Sequence, residues 1–481
     1  MKTNTLDFDA QTLREKILDL AMRGKLVSQD PNDEPASVLL EKIKTEKEQL
    51  IKEKKIKKSK PLPEITDDEK PFEIPDGWEW VRLGDVSEII MGQAPKSNDV
   101  NEHGEGIEFH QGKTEFTETI IGKSSKYVVN TSRIVDSNYI IMAVRAPVGD
   151  VNLIDREISI GRGLAGIAPY ISNKNYIFYY LESIKKYFEN NSTGSTFKAI
   201  NGNIIKNTIV PLPPLSEQSR IAAKIAQLFA LLRKVESSIQ QYTNLKDLLK
   251  FKLLDLAMRG KLIDQNPNDE PANVLLDKIK AEKDQLVKEK KIKKTKSLPE
   301  IADDEKPFEI PNSWEWVRLG DLVSIKGGKR VPKGKKLVDY QAIRPYIRVT
   351  DMKGYTVSTN DLKYVTQDIY DQIKKYTISS NDIYFSIAGT IGKVGKIPDK
   401  ISGALLTENA AKLTPYDANK DFLIQVLSSN IVKKQHKKIL SQVAQPKLSL
   451  IKLRQTIIPL PPLSEQRRIV SKLEQLFALI G

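Results

Sequence analysis

The sequence predicts an α+β fold in which two globular inserts are separated by two long antiparallel coiled-coil helices, arranged as a circular repeat with pseudo-twofold symmetry. Internal duplication is the first observation behind this prediction. Residues 18–85 recur at 254–321 with thirteen substitutions, and residues 209–231 recur at 457–479. The segments between these blocks show little likeness to each other. A constant framework therefore alternates with two variable inserts, which we expect to perform parallel but distinct tasks.

The second observation is a long central helix. Its apolar residues lie alternately four and three positions apart, which is the spacing of the seam of a left-handed coiled coil. Pro213 and Pro214 precede Ser216, a good N-cap residue, and Gly260 lies near the far end, so the start and stop signals agree with this spacing. The predicted seam consists of Ile221, Ile225, Leu228, Leu232, Val235, Ile239, Tyr242, Leu249, Leu253 and Leu256.

The third observation is that both chain ends carry the same spacing. Ile469 and Leu473 continue it near the C-terminus, and Leu13 belongs to it near the N-terminus. Aligned on the central helix, Gly481 corresponds to position 233 and Met1 to position 237, so only three positions are missing. The two ends thus rebuild a second helix in two pieces, and the repeat is circular.

These patterns divide the chain into seven segments. Short β-rich runs and a helical stretch before each exit predict that both inserts are α+β domains. The predicted segments are 1–26, the N-terminal part of the distal helix; 27–76, a lysine-rich helical arm with a proline-rich connector; 77–208, the first insert; 209–262, the central helix; 263–313, the second arm and connector; 314–456, the second insert; and 457–481, the C-terminal helix.

Composition narrows the range of functions. The net charge of +14 favours a polyanionic partner such as nucleic acid. Residues 41–60 and 277–296 each hold nine lysines against four acidic residues, although a solvated helix face is the simpler interpretation of such runs. The absence of cysteine excludes disulfides and thiolate zinc sites, and three histidines are too few for a metal cluster. We expect a cytoplasmic protein without a membrane span or a resident metal.

Catalytic motifs are missing from the sequence. The two PLPPL segments have leucine where an adenine-binding loop would need an acidic or amide residue and an aromatic residue. The glycine-rich run that begins at Gly389 has the wrong spacing for a phosphate-binding loop. The acidic clusters at 67–69 and 303–305 lie in the duplicated connectors, which argues against a magnesium site. The sequence therefore predicts a chain without catalysis of its own.

The loops of both inserts are rich in Gly, Gln, Asn, Lys and Arg. Gln, Asn and Arg side chains can contact base edges through two hydrogen bonds, and glycine allows the backbone to approach phosphate. As a set, these loops favour DNA binding. The candidate contact residues in the first insert are Gln93, Lys96, Ser97, Gln111, Lys113, Arg145, Arg162 and Lys198. Those in the second insert are Lys329, Arg330, Lys333, Arg348, Asn409, Gln442, Gln445 and Lys447.

The PLPPLSEQ block followed by LDLAMRGKL, duplicated around two unlike inserts, resembles the specificity subunit of type I restriction-modification systems. The resemblance implies that each insert is a target recognition domain for one half of a bipartite, asymmetric site in double-stranded DNA. It implies that the framework helices set the spacer and dock two modification (methyltransferase) subunits, and that restriction subunits join the complex. It also implies that S-adenosylmethionine, ATP and Mg are bound by those partner subunits and not by this chain.

Other functions remain open at this point. A one-chain modification or restriction enzyme would need methyl-donor and adenine-binding motifs, which the sequence lacks. A related type II-like restriction-modification assembly would use the same architecture. A scaffold that binds only proteins would need no base-reading loops, and a DNA-binding assay with and without the modification subunit would distinguish it from a specificity subunit.

Overall fold

The computed structural model contains two compact units, one built from Leu6–Ile239 and the other mainly from Gln240–Gly481. Each unit contains an arm helix and a two-stranded pair that encloses an insert, and the insert has two sheets in the first unit and three in the second. The structure describes residues 8–131, 133–194, 198–292, 294, 296–440 and 446–481.

Helices lie both in the predicted framework segments and in the two inserts. In chain order, the first seven helices are α1 (Ala10–Met22), α2 (Ala36–Lys52), α3 (Leu83–Val86), α4 (Lys174–Ser183), α5 (Lys185–Asn190), α6 (Gly202–Asn207) and α7 (Leu215–Met258). Those that follow are α8 (Ala272–Lys288), α9 (Leu319–Leu322), α10 (Gln367–Ile373), α11 (Lys420–Ser428), α12 (Asn430–Leu440), α13 (Leu450–Arg454) and α14 (Leu463–Ile480).

The strands are short, as is usual for a small α+β domain. The first unit contains β1 (Glu79–Arg82), β2 (Ser87–Met91), β3 (Val100–Asn101), β4 (Ile107–His110), β5 (Tyr127–Val128), β6 (Ile134–Val135), β7 (Ile140–Ala143), β8 (Val151–Leu153), β9 (Ile158–Ile160), β10 (Leu164–Pro169) and β11 (Ile209–Leu212). The second unit contains β12 (Glu315–Arg318), β13 (Val323–Gly327), β14 (Arg344–Ile347), β15 (Met352–Lys353), β16 (Thr356–Val357), β17 (Lys363–Val365), β18 (Thr377–Ile378), β19 (Ile383–Ser386), β20 (Val394–Lys396), β21 (Ala404–Leu406), β22 (Ala410–Pro415) and β23 (Ile457–Leu460).

The sheets of the two inserts are similar but not identical, since β3 of the first insert has no counterpart in the larger sheets of the second, which contains an additional two-stranded sheet, β15–β16. In the first insert, one sheet has the order β2-β10-β7-β8, and the other has the order β3-β5-β4-β9-β6 with β4 parallel to β9. In the second insert, the orders are β13-β22-β19-β20 and β17-β14-β21-β18, with β14 parallel to β21. The pairs β1–β11 and β12–β23 close the entry and exit of each insert. The predicted α+β fold class is confirmed.

One hydrophobic core in each unit joins the framework to the insert. In the first unit, Leu39 and Ile43 of α2 lie in the same core as Leu18 of α1, Ile140 of β7 and Ile225 of α7. Burial of an aliphatic side chain of this size contributes about 1.5–3 kcal/mol. The lysine-rich arms are therefore docked on their own units through an apolar stripe. The corresponding core residues of the second unit are Leu254, Leu275, Ile279, Ile383 and Leu473.

The acidic clusters of the connectors have a structural role. Arg82 is buried and donates hydrogen bonds to both carboxylate oxygens of Glu69, each at 2.8 Å, and to the carbonyl of Asn207. The hydrogen bond from Arg82 lowers the pKa of Glu69 to about 2. Arg318 makes the same pair of bonds to Glu305. Among the described residues, no group of three His, Asp or Glu side chains is arranged to hold a metal ion.

The predicted seam of α7 is only partly buried. Ile221, Ile225 and Leu232 are buried, whereas Leu228, Ile239 and Leu253 are half-buried. Val235, Tyr242, Leu249 and Leu256 are exposed. The seam as a whole stays a prediction. Near each end, residues of α7 belong to the hydrophobic core that includes the insert of the same unit. The buried residues there lie partly outside the predicted seam. The α7 residues buried off the predicted seam are Ala222, Phe229, Leu254, Ala257 and Met258.

The start of α7 also differs from the prediction. The helix begins at Leu215, so Ser216 lies in its first turn and is not the N-cap. Its hydroxyl donates instead to Asp33 Oδ1 at 2.5 Å, and Arg220 forms a salt bridge of 2.6 Å with the same carboxylate. The helix contains 44 residues. Within the described ranges, no helix combines the length and the apolar character needed to cross a membrane.

Candidate nucleic-acid interface

The duplicated PLPPLSEQ block anchors each insert to the framework. Glu217, in the first turn of α7, is buried and accepts hydrogen bonds from Trp78 Nε1 at 2.9 Å and from Gln29 Nε2 at 2.7 Å. Glu465 accepts the same two bonds from Trp314 and Gln265 in the second unit. The carboxylate therefore joins α7 or α14 to the entry of the insert and to the turn before the arm.

The glutamine that follows holds the helix of the insert. Gln218 is fully buried, its amide nitrogen donates to the carbonyl of Pro213, and its amide oxygen accepts from the backbone N–H of Asn173, the N-cap residue of α4. Gln466 and Asn419 repeat this contact in the second unit. Because Glu and Gln both satisfy buried donors from the insert, the SEQ motif fixes the orientation of the insert on its own helix.

The predicted loops of the first insert meet at one end of its sheets. The backbone N–H of Gln93 donates to the carbonyl of Ile160 at 3.1 Å. The N–H of Gly163 donates to the carbonyl of Gln111, also at 3.1 Å, and the N–H of Val144 donates to the carbonyl of Gly163 at 2.9 Å. The loops after β2, β4, β7 and β9 are therefore held together by backbone hydrogen bonds and form one surface.

Glycine is needed where the first loop crosses the turn between two strands. A Cβ atom at Gly92 would lie 2.1 Å from the carbonyl oxygen of Gly161, and one at Gly328 would lie 2.1 Å from the carbonyl oxygen of Thr407. No side chain fits such a contact, since it is far below van der Waals distance. The close crossing brings the loop after β2 or β13 against the turn before β10 or β22 in both inserts.

Most of the predicted side chains in the first insert reach solvent on this surface. Gln93 and Lys96 line a groove of about 530 Å³ together with Asn130 and Arg133. Asn130 and Arg133 were missed by the sequence prediction, although they lie in the loop before the short strand β6 and carry the same hydrogen-bonding groups. The exposed predicted residues are Gln93, Lys96, Ser97, Gln111, Arg145, Arg162 and Lys198.

The second insert brings its loops together in the same way. The N–H of Lys329 donates to the carbonyl of Leu406 at 2.8 Å, which matches the bond from Gln93 to Ile160. The N–H of Ala388 donates to the carbonyl of Asn409 at 3.2 Å. Lys329, Arg330, Lys333 and Lys447 are exposed, and Asn409 is half-buried. Gln442 and Gln445 lie outside the described residues.

An isolated β-bridge occurs at the equivalent place in both inserts, but the basic residue is a different member of the bridge in each. In the first insert, Arg145 is bridged to Ala199. In the second, Ala388 is bridged to Lys447. Each bridge thus offers one cation, but the loop after β7 supplies it in the first insert and the segment before the exit supplies it in the second. The same backbone therefore presents different hydrogen-bond donors in the two inserts.

Two of the predicted residues are held by carboxylates. Lys113 forms a salt bridge with Asp150, which also binds Lys185 at 2.5 Å. Burial raises the pKa of Asp150, but the hydrogen bonds from the two lysines outweigh it and hold the pKa below its ordinary value. Arg348 donates to both oxygens of the buried Asp351, at 3.0 and 2.7 Å. These pairs give Lys113 and Arg348 a role in loop structure.

Two α+β domains with matched polar loops on a duplicated helical framework define a protein with two equivalent polar surfaces, one on each insert. The model of the type I restriction modification DNA specificity domain matches residues 75–241 and 311–481, and the chain belongs to this family.

Its relatives agree with this assignment. The type I restriction enzyme EcoAI specificity subunit of Escherichia coli is 34% identical, over 98% of this chain and 89% of that protein. The EcoEI specificity subunit of Escherichia coli is 35% identical, over 66% of this chain and 62% of that protein. A solved chain described under "Structural basis underlying complex assembly and conformational transition of the type I R-M system" has a TM-score of 0.59 at 21% identity, over 85% of this chain and 92% of that chain. This last likeness supports the fold.

Proposed function

We propose that the chain reads a bipartite, asymmetric site in double-stranded DNA, with each insert acting as the target recognition domain for one half. The matched β-bridge supports this most directly, because two equivalent loop surfaces present Arg145 in one domain and Lys447 in the other. Side chains that differ on a shared backbone give different base preferences at equivalent positions. Two such domains on one chain read an asymmetric sequence.

The two domains contribute unequally to affinity. Residues 86–206 contain thirteen basic and thirteen acidic side chains, whereas residues 322–454 contain twenty-four basic and ten acidic ones. Contacts between cations and phosphates release counterions and depend steeply on salt. The second domain therefore supplies most of the affinity that is independent of sequence.

The framework docks two modification subunits, and restriction subunits complete the assembly. Support for this stoichiometry comes from the duplication, because a framework that occurs twice in one chain offers the same surface twice. The chain contributes no catalysis. S-adenosylmethionine, ATP and Mg are bound by the partner subunits. The assembly works in the cytoplasm, in keeping with a chain that contains no cysteine.

The proposal is tested by mapping methylated DNA in cells that express the chain with its modification subunits. We expect methylation at one asymmetric sequence with two specific parts and a fixed spacer, and no methylation when either component is omitted. Methyl transfer by the purified chain with S-adenosylmethionine would instead support a one-chain enzyme. Assembly without specific DNA binding would support a scaffold that binds only proteins.

We also propose that helix length sets the spacer. A seven-residue insertion after Gln240 preserves the heptad register of α7 and adds about 10 Å at 1.5 Å per residue. We expect the same bases in both half-sites and a spacer longer by up to about three base pairs, at 3.4 Å per base pair. Methylation mapping measures this spacer directly.

The control is a four-residue insertion at the same point. It rotates one half of the helix relative to the other, because it breaks the heptad register, and we expect a larger loss of DNA binding for less added length. An active complex with the seven-residue insertion and an unchanged spacer would contradict the proposed role of the helix.

A further inference from the structure

We infer that Arg330, held in place by Glu408, reads a guanine in the half-site of the second domain, and that Glu408 is a positioning residue for this contact. The inference rests on the proposed function and names one base and two residues within it. Glu408 was not among the residues that the sequence indicated. It lies in the turn between β21 and β22, across from the loop after β13.

The guanidinium of Arg330 is bound through Nε, whereas its two terminal nitrogens are available for another contact. Arg330 Nε donates to Glu408 Oε1 at 2.5 Å, and 79% of the arginine side chain is exposed. None of the described residues accepts a hydrogen bond from its two terminal nitrogens. A guanidinium held through Nε presents these terminal groups as a planar fork, which matches the O6 and N7 acceptors of guanine in the major groove.

Neighbouring side chains hold the carboxylate of Glu408 in place. Thr407 Oγ1 donates to Glu408 Oε2 at 3.1 Å. The buried Tyr346 directs its hydroxyl to the carbonyl of Lys329 at 2.7 Å and lies 3.5 Å from the same carboxylate oxygen. Burial raises the pKa of Glu408, but hydrogen bonds, above all from Arg330, outweigh it, so the pKa lies below its ordinary value and the group stays ionised. The ion pair between Arg330 and Glu408 is therefore supported by the buried side chains of Thr407 and Tyr346.

An exposed ion pair contributes little to stability, with a typical value of about 0–1 kcal/mol. A role in recognition explains the arrangement better, because an arginine that is already ordered loses less side-chain entropy on binding DNA. The first domain shows the contrast. There Ala94 occupies the position of Arg330 and Arg162 occupies that of Glu408, so the pair is specific to the second domain.

The experiment uses the reconstituted complex of the full-length chain with its modification subunits. The probes are duplexes that carry the mapped site, with each base pair of the second half-site replaced in turn. For the wild-type complex we expect one position where guanine is strongly preferred. With Arg330→Ala, discrimination at that position falls by about 5- to 150-fold, the range for one two-bonded base contact. Discrimination at the first half-site stays unchanged.

Further variants separate positioning from other roles. Arg330→Lys keeps the charge but lacks the fork, so it does not restore the preference for guanine. Glu408→Ala reduces the same preference by a smaller factor than Arg330→Ala, and Glu408→Gln, which keeps an acceptor oxygen, recovers part of it. The matched control is Lys333→Ala in the same loop, which weakens binding to all the duplexes equally. Thermal unfolding midpoints of the Arg330 and Glu408 variants stay close to wild type.

A wild-type complex without a bipartite site would overturn the proposed function. A bipartite site whose second half contains no G·C pair would overturn only the present inference. So would an Arg330→Ala complex that keeps the full preference at every base. If Glu408→Ala changes the preferred base while Arg330→Ala does not, the carboxylate contacts the base itself and the assignment of roles is wrong.

Discussion

A chain in which residues 322–454 are replaced by a copy of residues 86–206 is expected to direct methylation to a site with two identical half-sites. Those half-sites are expected in inverted order, because two equivalent copies in a closed repeat are related by a twofold rotation. The asymmetric site of the wild-type complex should disappear. This change is expected to be complete, since it replaces every base-reading side chain of the second domain.

The junctions of this exchange are structurally equivalent. At the first turn of the framework helix, Gln218 accepts from the backbone N–H of Asn173 at 2.8 Å, and Gln466 accepts from that of Asn419 at 3.0 Å. At the exit, the side chain of Lys206 lies against Gly84 just as that of Arg454 lies against Gly320. The transplanted domain therefore meets equivalent framework contacts at the helix and at the exit, and we expect it to fold and assemble.

Methylation mapping measures the outcome, and the reciprocal exchange is the control. A chain with residues 322–454 in both positions should direct methylation to the other symmetric site, built from the second half-site alone. Together the two variants assign each half-site to its domain. An assembled variant that still methylates the original asymmetric site would show that the specificity resides outside the inserts.

The framework could be predicted because its evidence is local or repeated. Duplication marked the boundaries of the constant blocks, and heptad spacing indicated the long helix, which is now seen as Leu215–Met258. The buried face of that helix could not be predicted fully, because Phe229 packs edge-on against Tyr179 of the insert, with ring centroids 5.8 Å apart. Helical spacing alone does not reveal a contact with a residue fifty positions away.

The candidate interface was chosen by residue type, because its loops are rich in side chains that can contact base edges, and DNA contact by these residues stays a prediction. The sequence did not reveal which of these polar side chains form ion pairs within the protein. Arg348 looked free in sequence, yet it is bound by Asp351, while Arg330 keeps its terminal nitrogens available on Glu408. Such pairings depend on loops that meet only after the sheets have formed.

Glu217→Ala is expected to weaken the first unit selectively. The substitution leaves Trp78 Nε1 and Gln29 Nε2 without their shared acceptor. A hydrogen bond to a charged group contributes about 1.5–3 kcal/mol, and a buried donor without a partner costs about 1–3 kcal/mol. Burial raises the pKa of Glu217, because the buried charge is costly. Part of the hydrogen-bond energy therefore offsets this cost in the wild-type protein. We therefore expect a net loss of about 2–4 kcal/mol.

Hydrogen exchange of the assembled complex measures this loss in each unit separately. Protection should fall in β1 and the start of α7 but not in β12 and α14, and specificity at the first half-site should decrease. Glu465→Ala is the matched control, because Glu465 makes the same bonds to Trp314 and Gln265 and should shift the loss to the second unit. Glu217→Gln should cost less, since a neutral amide keeps an acceptor and avoids burying a charge. Equal loss of protection in both units, or none in either, would contradict the role of this carboxylate as the anchor of its own insert.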